Sequence, residues 1–129
     1  MKSKMLFLIC VCLIAFVFIA PSANAQDPVK VASQAFVEKL NNDNVRVLEY
    51  HSKPGSKEAM HTHSTSVLYV VSGGKFKSTT PDGKSQVVEY KSGDVVWRES
   101  LTHSGENVGD TEIHAILIEV KEAKPAMKK

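Results

Sequence analysis

From Val45 onward the chain never sustains a long apolar run. Val45 to Tyr50 breaks at Lys53-Pro54-Gly55, Val67 to Val71 at Gly73-Gly74, and Val87 to Tyr90, which follows the turn Pro81-Asp82-Gly83, at Ser92-Gly93-Asp94; Val95 to Trp97 and Ile113 to Val120 flank Gly109-Asp110. Such closely spaced punctuation predicts an all-β sandwich or barrel. Valine and isoleucine dominate the runs, as suits a pleated surface, and the glycines supply the positive φ of tight turns. No long helical pattern interrupts them. Val31 to Leu40 fits a helical turn nearly as well as a strand, and is read as a strand returning through Asn41-Asn42-Asp43-Asn44.

Alternation within the runs assigns faces. Val67, Tyr69 and Val71 point one way and Leu68 and Val70 the other, so both sides are apolar, as expected inside a two-layer structure. In the last run His114, Ile116, Ile118 and Val120 share one face and Ile113, Ala115, Leu117 and Glu119 the other. A histidine and a carboxylate on a buried strand each require a partner.

The N-terminus reads as an address. Lys2 and Lys4 precede an apolar stretch from Met5 to Ala20, and Ala23-Asn24-Ala25 offers a small-residue cleavage site, so residues 1–25 are expected to be a signal peptide and the mature chain to start at Gln26. Periplasmic or secreted localisation follows from that reading, with no membrane association after cleavage. Both cysteines, Cys10 and Cys12, lie in the leader, and two of the 16 basic residues, Lys2 and Lys4, leave with it, so the remainder balances the 14 acidic ones. A neutral, thiol-free domain of roughly 100 residues must stand on its core alone and carries no electrostatic footprint for nucleic acid. The expected organisation is an extension over 26–44 holding an edge strand, a barrel over 45–121 and a polar tail over 122–129.

The chemistry concentrates in histidines. His61 and His63 flank Thr62, and His103 follows forty residues after His63. On a strand, residues i and i+2 share a face with Cα atoms roughly 6.5 to 7 Å apart, so both imidazoles can reach one ion; on a helix they would diverge by about 200°. The spacing suits a metal only in an extended segment.

The stretch from Gly55 through His61 and His63 to Gly73 resembles the first motif of the cupin superfamily, and Gly93, His103 and Asn107 resemble the second. Ser66 stands where the family's glutamate would fall, and Glu99 and Leu101 replace its usual proline and glycine. The resemblance implies a small double-stranded β-helix, a jelly-roll barrel, with His61, His63 and His103 holding a divalent metal: iron, zinc, copper, nickel or manganese. Three protein ligands leave coordination positions open, the mark of a site that admits water or substrate. Without the glutamate, three neutral imidazoles leave the ion's charge uncompensated and favour anionic guests. His114, Ser66, Trp97 and Tyr69 are the candidates to support the ligands or line the pocket, with packing as the competing reading for Tyr69 and Trp97 and a solvated rim position for His51. No catalytic residue is evident, and acid/base work would have to borrow His114, Tyr69 or Glu99.

The function expected is therefore an exported metal-binding cupin acting on, or binding, a small anionic organic molecule, with dioxygenase chemistry as one form. The alternative is a non-catalytic barrel that binds or senses a small ligand, with or without metal. A third possibility is a structural subunit that uses one sheet as a homodimer surface, as the resemblance allows.

Overall fold

The segment ahead of the barrel is held by local capping. Asp27 accepts a hydrogen bond from the Val29 N–H at 3.0 Å, Pro28 occupies the first turn, and a single helical turn, α1 (Pro28–Val31), forms. The extended strand β1 (Phe36–Asn41) follows, so the ambiguous segment is both turn and strand. In this computed structural model residues 26–122 are described, and the proposed leader and most of the tail lie outside them. Among the described residues no helix is long and apolar enough to cross a membrane.

Eight further strands succeed β1: β2 (Val45–Ser52), β3 (Lys57–His63), β4 (Ser66–Ser72), β5 (Gly74–Thr79), β6 (Ser85–Tyr90), β7 (Val95–Arg98), β8 (Leu101–Asn107) and β9 (Ile113–Val120). They form a five-stranded sheet in the order β1-β2-β9-β4-β7 and a four-stranded sheet in the order β3-β8-β5-β6, with every pairing antiparallel. The chain switches sheets at every connection from β2 to β9 except that between β5 and β6, which rolls the two layers into a jelly-roll barrel.

The inner faces meet in a core of Phe36, Leu48, Tyr50, Leu68, Val70, Phe76, Ile113, Ala115 and Leu117. Alternation along β9 shows the logic: Ile113, Ala115, Leu117 and Glu119 are buried, while His114, Ile116 and Ile118 face outward at intermediate exposure. The outer face of the larger sheet is itself apolar, because Leu40, Val47, Ile118, Val67 and Trp97 are successive register partners across all five strands. Gly73 is where the backbone leaves no room for a side chain, since a Cβ there would sit 2.0 Å from the Tyr90 carbonyl oxygen. Gly93 takes φ +89° in the turn between β6 and β7, a conformation that glycine adopts without steric cost.

Candidate metal centre

His61 and His63 project from the end of β3 and His103 from the middle of β8. The two strands are paired with His61 opposite His103, so antiparallel register alone sets two of the three rings side by side. The i, i+2 spacing then brings His63 to the same inner face. All three are buried, and their ligand atoms lie within 4.8 Å of one another.

Each ring is held from behind by its other nitrogen. His61 Nδ1 donates to the Ala59 carbonyl oxygen at 2.7 Å, His63 Nδ1 donates to Glu119 Oε1 at 2.8 Å, and His103 Nδ1 lies 2.8 Å from Ser78 Oγ. A carbonyl and a carboxylate only accept, which puts the proton of His61 and His63 on Nδ1 and the lone pair on Nε2. Those two Nε2 atoms are 3.0 Å apart, acceptor facing acceptor. His103 Nε2 is buried with no hydrogen-bond partner. Neutral rings set this way repel unless a cation stands between them, and about 3.0 Å is the separation of two nitrogens bound at roughly 2.1 Å and at right angles to one ion. The donor set therefore fits a divalent metal, with the Nδ1 partners fixing tautomer and ring orientation.

Electrostatics keep the rings neutral. Burial pushes the His61 imidazole down to about 4, with His63 and Arg98 adding repulsion. It pushes His103 down to about 2, again with Arg98 and the neighbouring rings. His63 is also lowered by burial, against the pull of Glu119. Phe36, from the edge strand, sits over the centre with its ring centroid 5.3 Å from those of both His61 and His63.

Two residues of the centre, Glu58 and Arg98, escape a reading of the sequence, and a third, Glu119, shows there only as a buried carboxylate that needs a partner. Register slips between Glu58 and His61, so a β-bulge puts two residues three apart on one face where regular alternation would separate them. Glu58 is thereby buried in the pocket wall, its Oε1 accepting from the Tyr50 hydroxyl and its Oε2 without a partner. Burial raises the Glu58 carboxyl above its usual range, against the Tyr50 hydrogen bond and Arg98. Arg98 lines the same cavity, and its guanidinium makes no hydrogen bond or ion pair among the described residues. Glu119 is the third, buried and bridging His63 to Arg46, whose Nη1 is 3.7 Å from Oε2. The cavity encloses about 30 Å³, with Phe36, Tyr50, Glu58, His63, Arg98 and His103 among its lining.

The other expected pocket residues lie elsewhere. Tyr69 is 45% and Trp97 59% exposed on the outer face of the larger sheet, because strand parity gives the inward positions to Leu68, Val70, Val96 and Arg98. Trp97 Nε1 donates to Glu99 Oε1 at 2.8 Å, which puts Glu99 at the surface too. His114 also points outward, 3.0 Å from Glu49 Oε1. Ser66 does point inward, its hydroxyl buried and unpartnered, and its register neighbour on β9 is Glu119. The carboxylate missing at position 66 thus appears one strand over, behind a ligand ring. Asn107 is a buried bracket, donating to the Ser52 and Thr111 carbonyls at 2.7 and 2.8 Å.

No family model and no curated protein matches the sequence. Solved structures do. A cupin domain from Bordetella pertussis Tohama I is 29% identical over 67% of this chain and 92% of its own, with a TM-score of 0.61. An RmlC-like cupin family protein with a double-stranded β-helix fold from Methanocaldococcus jannaschii aligns over 66% of this chain and 79% of its own at 17% identity and a TM-score of 0.51. A Klebsiella pneumoniae protein with a double-stranded β-helix domain covers 77% of this chain and 85% of its own at 18% identity and a TM-score of 0.52. With its two antiparallel sheets rolled into one barrel and three histidines meeting inside it, the chain has the double-stranded β-helix fold of the cupins.

Proposed function

We propose that this protein is an exported cupin that holds a divalent metal through His61, His63 and His103 and acts on a small anionic organic molecule. The observation that carries the reading is the 3.0 Å approach of two nitrogens that both present lone pairs, beside a third that has no partner. When bound, the ion supplies Lewis acidity or redox chemistry, oxygenation included.

The chain's own residues divide the remaining work. The Arg98 guanidinium, unpaired in a largely apolar cavity, attracts the anionic end of a guest. Glu58 Oε2, buried and free, is positioned to take a proton from it, and Tyr50 orients that carboxyl. Phe36, Leu68 and Leu117 exclude water from the wall. Among the metals the resemblance allows, nitrogen ligands favour iron, nickel, copper and zinc over manganese.

The second reading, a barrel that binds without turnover, is favoured by the cavity's size, since about 30 Å³ accommodates little more than a water or two until side chains move. Elemental analysis of the protein from its native compartment, repeated on His61→Ala and His103→Ala, tests metal binding. Equal metal in all three preparations overturns the proposal. With metal established, oxygen uptake in the presence of thiols, diketones or phenolic acids separates an oxygenase from a passive binder.

A further inference from the structure

Two histidines take no part in the buried centre. His51 on β2 and His114 on β9 are register partners on the outer face of the larger sheet, their rings stacked with centroids 4.1 Å apart and 13° between planes. Glu49 lies two residues before His51 on the same face. Its Oε1 is 3.0 Å from His114 Nε2 and 3.6 Å from His51 Nε2, and one ligand atom from each of the three residues falls within 4.8 Å of the others.

The hydrogen bonds around this cluster prepare it for a cation. His51 Nδ1 donates to Glu112 Oε1 at 3.0 Å, so in the neutral ring the lone pair is on Nε2, 3.6 Å from Glu49 Oε1. Lys39 takes the other oxygen of Glu49, with its Nζ 3.1 Å from Oε2, and leaves Oε1 to the histidines. Glu49 and Glu112 together outweigh Lys39, so with neutral imidazoles the cluster carries net negative charge. The His51 side chain is 45% exposed, so an ion reaches it directly from solvent.

We propose that Glu49, His51 and His114 form a second, solvent-facing site for a borderline divalent cation, zinc or copper(II). Two imidazoles and one carboxylate are the donors these ions prefer, whereas calcium and magnesium require oxygen sets. Binding places each donor atom about 2.0 to 2.2 Å from the ion, for which the two stacked rings tilt toward each other. The Nε2 proton that His114 now donates to Glu49 moves to Nδ1, which has no hydrogen bond among the described residues, so the ring stays neutral and no net proton is released. Glu112 acts from behind His51 as Glu119 does from behind His63.

Calorimetric titration of the metal-free chain with zinc chloride tests the site, alongside His51→Ala, His114→Ala and His61→Ala. Two ions per chain are expected in the parent, one in each outer-face variant and one in His61→Ala. Glu112→Gln should weaken the outer event about 10- to 100-fold and leave the buried one unmoved. One ion in the parent that disappears in His61→Ala overturns the second site. So does a second ion that persists in both His51→Ala and His114→Ala. A single ion retained in His61→Ala but lost in His51→Ala upholds the outer site and overturns the buried one, so the two proposals fail separately.

Discussion

Glu119 Oε1 stands 2.8 Å from His63 Nδ1 in the barrel interior, and Arg46 approaches the other carboxylate oxygen at 3.7 Å. The pair fixes the His63 tautomer and aims its lone pair at His61. Glu119→Gln keeps the shape and removes the charge, and an amide can present its NH₂ to Nδ1 and flip the tautomer. Metal affinity should fall by about 10- to 100-fold, read by competition with a chromogenic chelator. Unchanged affinity would mean that His63 is oriented by packing alone.

Metal should stabilise the fold, because only the folded chain assembles the three nitrogens. Adding zinc to about 100 times its dissociation constant is expected to contribute about 2.7 kcal/mol and to raise Tm, and a chelator should reverse the shift. The same addition to a chain lacking His61 and His51 together should leave Tm where it was.

Glu58 gives the metal-free protein a specific pH dependence. Its carboxyl is raised by burial above the usual 4.5, so as pH climbs past 4.5 the unfolded chain ionises first while the folded chain still holds its proton. The contribution of this group to stability is therefore full below that value and is lost as pH rises through the folded pKa. Glu58→Gln stays neutral and should gain on the parent chain with rising pH. Urea denaturation of both chains between pH 4 and 7 checks it, and parallel stability curves would count against a buried carboxyl here.

Gly105 faces Glu58 across β3 and β8, where a Cβ would come 2.4 Å from Glu58 Oε2 and 2.5 Å from Phe76 Cζ. The carboxyl can swing aside, but the Phe76 ring is packed in the core. Gly105→Ala should cost about 1–3 kcal/mol by overpacking, measured by thermal or urea unfolding. It should also displace Glu58, so that the pH dependence above changes together with stability.

Arg98→Met removes the unpaired cation from the cavity while retaining most of its bulk. Binding of a small carboxylate probe to the metal-loaded chain should weaken by about 10-fold or more, the scale of one hydrogen bond to a charged group. A loss that is instead equal for a neutral probe of the same size would assign Arg98 to packing.

How much of this was legible in the sequence depended on what each strand buries. β2, β4 and β9 announce themselves through valine, isoleucine and leucine, because their buried faces are largely apolar, and β6 and β7 through valines of which Val87 and Val95 are exposed. β5 and β8 do not, since Ser78, His103, Gly105 and Asn107 fill their inner positions and leave no hydrophobic alternation to detect. The histidine triad was readable because i, i+2 spacing maps directly onto one strand face. Glu58 was not, because a bulge reverses the parity of a strand and no turn residue marks it. Outward placement of Tyr69, Trp97 and His114 was hidden by an outer face as apolar as the inner one, so periodicity could not say which side was in. Ser66 is the converse case, inward as its position in the motif suggested, yet partnered with no ligand.

Phe36 belongs to the stretch that precedes the regular β-punctuation, and its ring is the ceiling over His61 and His63. A fragment trimmed to begin at Val45 would keep every ligand and forfeit that roof, opening the nitrogens to bulk water. Their basicity would climb back toward that of a free imidazole, and protons would then compete with the ion for the same lone pairs. The strand that looks most like an appendix closes the interior over the nitrogens.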